Sequence, residues 1–245
     1  MLPLTVLSPH RDDAVFSLAL ALSRWSKLTV PITILNFFTV SAYAPHASSS
    51  AVDEISSLRQ SEDREAITSI DPAIEVQSLD LLDAPLRLNI SPASISAPEN
   101  LERQPRGETE ALALRIHPFL LRGLVLAPLA LGDHIDHQAV RYAALSLPKT
   151  ERLAFYEDLP YATWTAEEQL TAHVQAIEHA TGVKLEGVVV NSGAAIQDKR
   201  HMVSYYASQI TNAEADSIAE YASRYGGAER IWIPKDSTCW RLLLH

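Results

Sequence analysis

A chain of 245 residues with 47% hydrophobic content is long enough to bury a sizeable core. Its 20 Lys and Arg against 30 Asp and Glu leave a net charge of -10, which argues against a nucleic-acid or anionic-membrane partner. The single cysteine, Cys239, excludes an internal disulfide, and no uncharged stretch approaches the roughly 20 residues that a membrane span needs.

The apolar run 2–7 predicts a short buried strand. It lacks a basic n-region and a small-residue cleavage site and runs straight into His10, so it reads as a strand rather than a signal peptide. A soluble, cytoplasmic protein is the expectation. The turn Ser8-Pro9-His10-Arg11-Asp12-Asp13 follows, then a helix over 14–22 too apolar to face water. A dinucleotide fold would need glycines in that turn, yet the first of the chain's 8 glycines is Gly107, so a nucleotide-cradling loop is excluded there.

A second strand is predicted over 31–39, a loop over 41–50 and a helix over 56–70 closed by Asp71-Pro72. The third strand falls at 73–79, with Ile74, Val76 and Leu79 facing inward. Residues 81–106 carry four prolines and no clear period, and read as a long loop, functional or mobile. A helix over 108–120 leads to a fourth strand at 123–128. The segment Gly132-Asp133-His134-Ile135-Asp136-His137 then opens a helix that runs to Leu145. Beyond lie a strand at 152–156, a helix at 165–181 stopped by Gly182, a strand at 185–190, helices at 196–209 and 213–225, and a final edge strand at 230–233. The alternation of strands and helices, with no repeat and no linker, predicts one doubly wound α/β domain over 1–245 with an appended C-terminal part.

Two stretches share one grammar: apolar strand, Pro, polar turn, helix. If strands one and four are neighbours, their turns face each other across a single crevice. Taken singly, Asp12-Asp13 reads as helix capping and His134 with His137 as a surface or core feature. Both at strand–helix junctions of one domain favour a metal. His10, Asp13 and His137 supply a two-histidine, one-carboxylate set, the three-ligand pattern of catalytic zinc, with Fe2+ an alternative. Asp12 is the base for the metal-bound water, and His134, when protonated, stabilises an oxyanion or protonates a leaving amine. Asp136 orients and charges His134. The remaining histidines at 46, 117, 173, 179 and 245 have no comparable setting and read as solvated or core, and His201 is ambiguous.

Ser-Pro-His-Arg-Asp-Asp-Ala followed by Gly-Asp-His-Ile-Asp-His resembles the PIG-L/LmbE-like family of metal-dependent N-deacetylases, whose motifs are (P/A)-H-x-D-D-(E/A) and H-x-D-H. The similarity extends to Arg59-Gln60-Ser61-Glu62, to the segment from Tyr156 to Tyr161, and to Lys199 with Tyr205 and Ser208-Gln209. The resemblance implies a Rossmann-like three-layer sandwich without a dinucleotide site, its mostly parallel sheet covered by helices on both faces. It also implies the same ligand set and removal of an acyl group, most simply acetyl, from an amino sugar or related small metabolite. Arg59 would then reach the polar substrate and Asp83 would bond sugar hydroxyls. Arg11 and Ala14 depart from the commoner Pro and Glu. Arg11 either favours an anionic substrate or pairs with a neighbouring carboxylate. For Tyr156, Asp158 and Tyr161, loop packing competes with substrate contact, and Lys199, Tyr205 and Gln209 read as helix-face residues. Two rivals remain: a metal-bearing binding protein without turnover, with Arg11 in the open metal position, and a metal-dependent hydrolase of another amide. A homo-oligomer is compatible with the sequence, which does not encode the oligomeric state.

Overall fold

Leu4–Ser8 is buried at every position and forms β1, and Leu124–Pro128 is equally buried as β4. Continuous apolar runs of this kind belong to strands covered on both faces of a parallel sheet. The computed structural model describes residues 2–101, 103, 107–148 and 151–244. Among these, β2 is Ile32–Asn36, β3 Glu75–Ser78, β5 Leu153–Tyr156, β6 Leu185–Val190 and β7 Glu229–Pro234. They join one seven-stranded sheet in the order β3-β2-β1-β4-β5-β7-β6. The first five run parallel, while β7 is antiparallel to both of its neighbours.

The helices are α1 (Asp13–Lys27), α2 (Val52–Ile70), α3 (Ala84–Leu88), α4 (Pro98–Leu101), α5 (Glu108–Arg122), α6 (Ile135–Leu145), α7 (Glu167–Thr181), α8 (Ile196–Val203), α9 (Asn212–Tyr221) and α10 (Thr238–Leu244). α1, α2 and α8 pack together as one group, and α5, α6 and α7 as another. The result is a three-layer α/β sandwich with a mostly parallel sheet. One buried cluster runs through it from Leu4 to Leu243, with Trp25, Trp240, Tyr156 and Tyr206 among its largest side chains. At the entry to β4, a Cβ on Gly123 would stand 2.1 Å from the Pro3 carbonyl oxygen, so only glycine lets the strand pass so close.

The sheet order reverses direction between β1 and β4, which brings their carboxyl ends side by side at a switch point. That adjacency is the condition on which the two-turn crevice depends.

Four expectations need correction. β7 is an interior strand and β6 the edge: Ile231 and Ile233 are buried on β7, whereas β6 is only intermittently covered. Val76 is 38% exposed, because β3 is a four-residue strand at the opposite edge. The segment from 81 is not featureless. Asp83 accepts the Leu86 N–H and caps α3, Ser91 caps a 3-10 turn at Pro92–Ser94, and a proline near the start of each turn presets the backbone. Residues 102 and 104–106, the end of the expected loop, lie outside the described residues, as does His245. Finally, α8 stops at Val203, and the turn beyond it lets the Ser208 N–H and Oγ donate to Glu62 at 2.8 and 2.7 Å. The rest of the expected 196–209 helix is used as a tether to α2.

Candidate metal centre

The first turn is closed by its own side chains. Ser8 Oγ donates to the His10 carbonyl and accepts the Ala14 N–H. Asp12 stands at the N-cap position of α1 without capping it, so its carboxylate is free for other work. Asp13 Oδ2 accepts the His10 N–H at 2.7 Å. This folds the two side chains toward each other.

The second turn carries an unusual backbone. Ala130, Gly132 and Asp133 all have positive φ, at 58°, 75° and 56°. Such strain concentrates at functional sites. A Cβ on Gly132 would meet the Tyr161 ring at 2.4 Å. His134 then caps α6, its Nδ1 accepting the Asp136 N–H at 3.0 Å, and His137 follows on the first turn.

His10 Nδ1 and His137 Nε2 each lie 3.3 Å from Asp13 Oδ2. Two ligands about 2.0–2.1 Å from a tetrahedral ion stand about 3.3 Å apart, so the spacing is that of an ion's coordination shell. His137 Nε2 is buried without a hydrogen-bond partner. A buried ring nitrogen without a hydrogen-bond partner is costly unless something binds it, and a divalent cation taking the place of its proton fits. The other nitrogen of each imidazole is committed. His10 Nε2 lies 3.0 Å from Asp136 Oδ2 and His137 Nδ1 lies 2.7 Å from Asp158 Oδ1. Carboxylates only accept, so both nitrogens donate and the inward nitrogens are left to coordinate. A second group, His10 with His134 and Asp136, also clusters closely enough to consider.

Two roles differ from expectation. The Asp136 carboxylate lies close to the His134 ring but makes no hydrogen bond to it among the described contacts. It is spent on His10, on the Ala84 N–H at 2.9 Å and on Arg87 Nη2 at 2.8 Å, and Arg87 pairs in turn with Glu108 at 3.0 Å. Asp158, at the end of β5, is wholly buried and also accepts the Leu131 N–H. Its weight was missed, although a carboxylate just beyond the strand next to β4 repeats the grammar of the other two turns.

Burial drags the imidazoles down, but the facing carboxylates overcome it, holding His10 at about 9 and His137 at about 10. Burial likewise opposes ionisation of Asp13 and Asp136, yet the same imidazoles keep both well below the usual carboxylate range. His134 is the exception: burial and the neighbouring His10 push it far below 6.5, which favours its neutral form over the protonated one expected.

A cavity of about 270 Å³ opens over these groups, at the small end of the range of small-ligand sites (roughly 300–1,000 Å³). His10, Asp12, Asp13 and His134 line it, together with Arg59 and Asp83. The buried Arg59 reaches Asp12 Oδ1 at 3.3 Å, Ser41 Oγ at 3.2 Å and the Tyr43 carbonyl at 3.4 Å. Asp83 accepts from Ser41 Oγ as well as capping α3. Tyr161 and Gln209 line the cavity too, whereas the Tyr156 hydroxyl is tied to the Leu7 carbonyl in the core. Arg11 does not join them. Its Nη1 donates to Ser78 Oγ at 3.2 Å, its nearest carboxylate is Asp63 at 4.0 Å, and it lines a separate cavity between α2 and β3. The guanidinium therefore does not stand in the open metal position. Lys199 is no helix-face residue either: it is fully buried and donates to Glu229 at 2.6 Å.

Residues 5–147 match the PIG-L family, described as GlcNAc-PI de-N-acetylase. The chain is 30% identical over 230 residues to the 2'-N-acetylparomamine deacetylase of Streptomyces fradiae, covering 93% of this chain and 80% of that protein. Among solved structures it is similar to the zinc-inhibited form of teicoplanin deacetylase, at TM-score 0.65 and 20% identity over 96% of this chain and all of that one. It is also similar to N,N'-diacetylchitobiose deacetylase from Pyrococcus horikoshii, at TM-score 0.58 and 13% identity over 95% and 84% of the two chains.

Proposed function

The chain belongs to the PIG-L family of de-N-acetylases, and from that premise we propose that it hydrolyses the N-acetyl amide of an amino sugar held over His10, Asp13 and His137. The observation that carries the reading is the convergence of His10 Nδ1, Asp13 Oδ2 and His137 Nε2, with His10 and Asp13 lining the cavity and the orphaned His137 nitrogen buried behind them. A divalent ion, zinc in this reading, would be held by these three side chains and would supply Lewis acidity toward an amide carbonyl and toward water.

The chain's own groups do the remaining work. The Asp12 carboxylate takes a proton from the attacking water and returns it to the nitrogen as the C–N bond breaks, so that an amine and acetate leave. Arg59 holds Asp12 in place while leaving one of its oxygens for that proton. His134, its Nδ1 occupied by the Asp136 N–H, carries its proton on Nε2 and donates it as a hydrogen bond to the oxygen on which charge accumulates. Asp136 and Asp158 keep the two coordinating imidazoles in the required tautomer. Asp83, steadied by the Ser41 hydroxyl, offers a polar contact to ring hydroxyls from the cavity wall. Cys239, unpaired in the chain, supports a reducing, cytoplasmic setting as part of the reading.

Acetate release from N-acetylglucosamine conjugates by zinc-loaded protein is the test. Asp12→Ala is expected to abolish release while metal content stays at the parent level. Unchanged turnover in that variant would remove Asp12 from the chemistry, and retained ligand binding without any hydrolysis by the parent would favour a binding protein.

A further inference from the structure

The inner half of the cavity is accounted for by the groups above, and the outer half is not. Its rim carries two aromatic side chains open to solvent, Tyr43 at 44% and Trp164 at 64% exposure. Isolated exposed aromatics need no explanation, but a pair at the mouth of one cavity does. Trp164 is held rather than loose. Its ring meets Tyr161 edge-on at 5.7 Å and 82°, and Tyr161 meets His137 edge-on at 5.3 Å. A line of rings thus leads from the floor of the site to its mouth and ends in an exposed indole.

The third rim group is Glu214, in the first turn of α9. One of its oxygens, Oε2, completes the capping box with Thr211, accepting the backbone N–H at 2.7 Å and the hydroxyl at 2.8 Å. Those bonds hold the carboxyl below its usual range, with His46 adding to the effect, so the group is charged at neutral pH. Among the described residues one guanidinium lines the cavity, that of Arg59, and it is already taken by Asp12. An arriving cation therefore meets a carboxylate and aromatic surface, with no unpaired positive side chain among the described lining residues.

Building on the deacetylase reading, we propose that Trp164, Tyr43 and Glu214 form an outer subsite for a second ring bearing a free ammonium. The substrate class is then a cationic N-acetylated oligosaccharide rather than a single N-acetyl sugar. The indole supplies a stacking face and a cation–π contact, and Glu214 supplies the charge that separates an amine from a hydroxyl. No covalent step is involved.

The experiment compares two disaccharides, N-acetylglucosamine joined to glucosamine and N-acetylglucosamine joined to glucose, with the zinc-loaded full chain. The ammonium-bearing compound is expected to show a kcat/KM about tenfold higher, which corresponds to one partly exposed ion pair plus a cation–π contact. In E214Q, which keeps the capping box because Gln also serves there, the ratio should fall to about threefold, the share left to the cation–π contact. In W164A, KM for the glucosamine compound should rise more than kcat falls. Equal kcat/KM for the two compounds in the parent chain would overturn the subsite while leaving the deacetylase reading intact. If neither compound is hydrolysed, the deacetylase reading fails and the subsite is judged by binding alone. Saturable quenching of tryptophan fluorescence by glucosaminyl-glucosamine, weakened at high ionic strength and in E214Q, would support it, and absence of quenching would overturn it.

Discussion

Asp136 and Asp158 decide what the imidazoles at this site can do. Each accepts from the outward nitrogen of one histidine and so turns the inward nitrogen toward the metal position. Asp158→Asn keeps the size of the side chain but removes the charge that holds His137. Metal affinity, read by chelator competition, should fall roughly 10- to 100-fold. Protonation carries a second prediction. His10 and His137, at about 9 and 10, lie above the free value of 6.5. In metal-free protein their contribution to stability is complete below about pH 6.5 and is lost as pH rises toward 10. A metal needs both imidazoles neutral, so loading at pH 7 should expel about two protons, one from each ring. Calorimetry in two buffers of different ionisation enthalpy measures that number, and a value near zero would contradict the protonation scheme. Most of these residues were legible in sequence, because His10, Asp12, Asp13, His134 and His137 sit at strand–helix junctions. The partner of each imidazole was not, since the Asp136 side chain turns back toward α3 and Asp158 lies 21 residues beyond His137.

Among the elements, the turn from Ala130 to His134 and the packing of α1 bear most on the site. Gly132 has φ of 75° and no room for a methyl beside Tyr161. Gly132→Ala should therefore lower both thermal stability and metal affinity, because the shift needed to admit the Cβ moves the turn that positions His134 and His137. A variant with unchanged melting temperature and metal content would show that the turn can yield. Glu229 on β7 accepts the N–H groups of Leu20 and Ala21 in α1, and it is paired with the fully buried Lys199 of α8. Lys199→Met strips the cation from a buried carboxylate and should cost about 3–5 kcal/mol by chemical denaturation. Long apolar runs made β1, α1 and β4 readable, whereas α3 was not: five residues hold too little periodicity, and only Asp83 with Pro85 announces it. Lys199 was misread for a related reason, since its partner Glu229 is 30 residues away on another element.

At the scale of the whole molecule, the sheet order places β1 beside β4 and thereby brings two turns more than 120 residues apart onto one cavity. The alternating pattern of strands and helices foretold the parallel half of the sheet. The antiparallel insertion of β7 between β5 and β6 was hidden, because it depends on pairing between strands far apart in sequence. The family resemblance, the switch-point geometry and the orphaned nitrogen of His137 all meet in one claim, that a single divalent ion is gripped from both turns. Crystals grown with zinc, with anomalous data at the zinc edge, test it most directly. The account predicts one peak within about 2.0–2.2 Å of His10 Nδ1, Asp13 Oδ2 and His137 Nε2. A peak on His10, His134 and Asp136 instead, or none at either cluster, would contradict it.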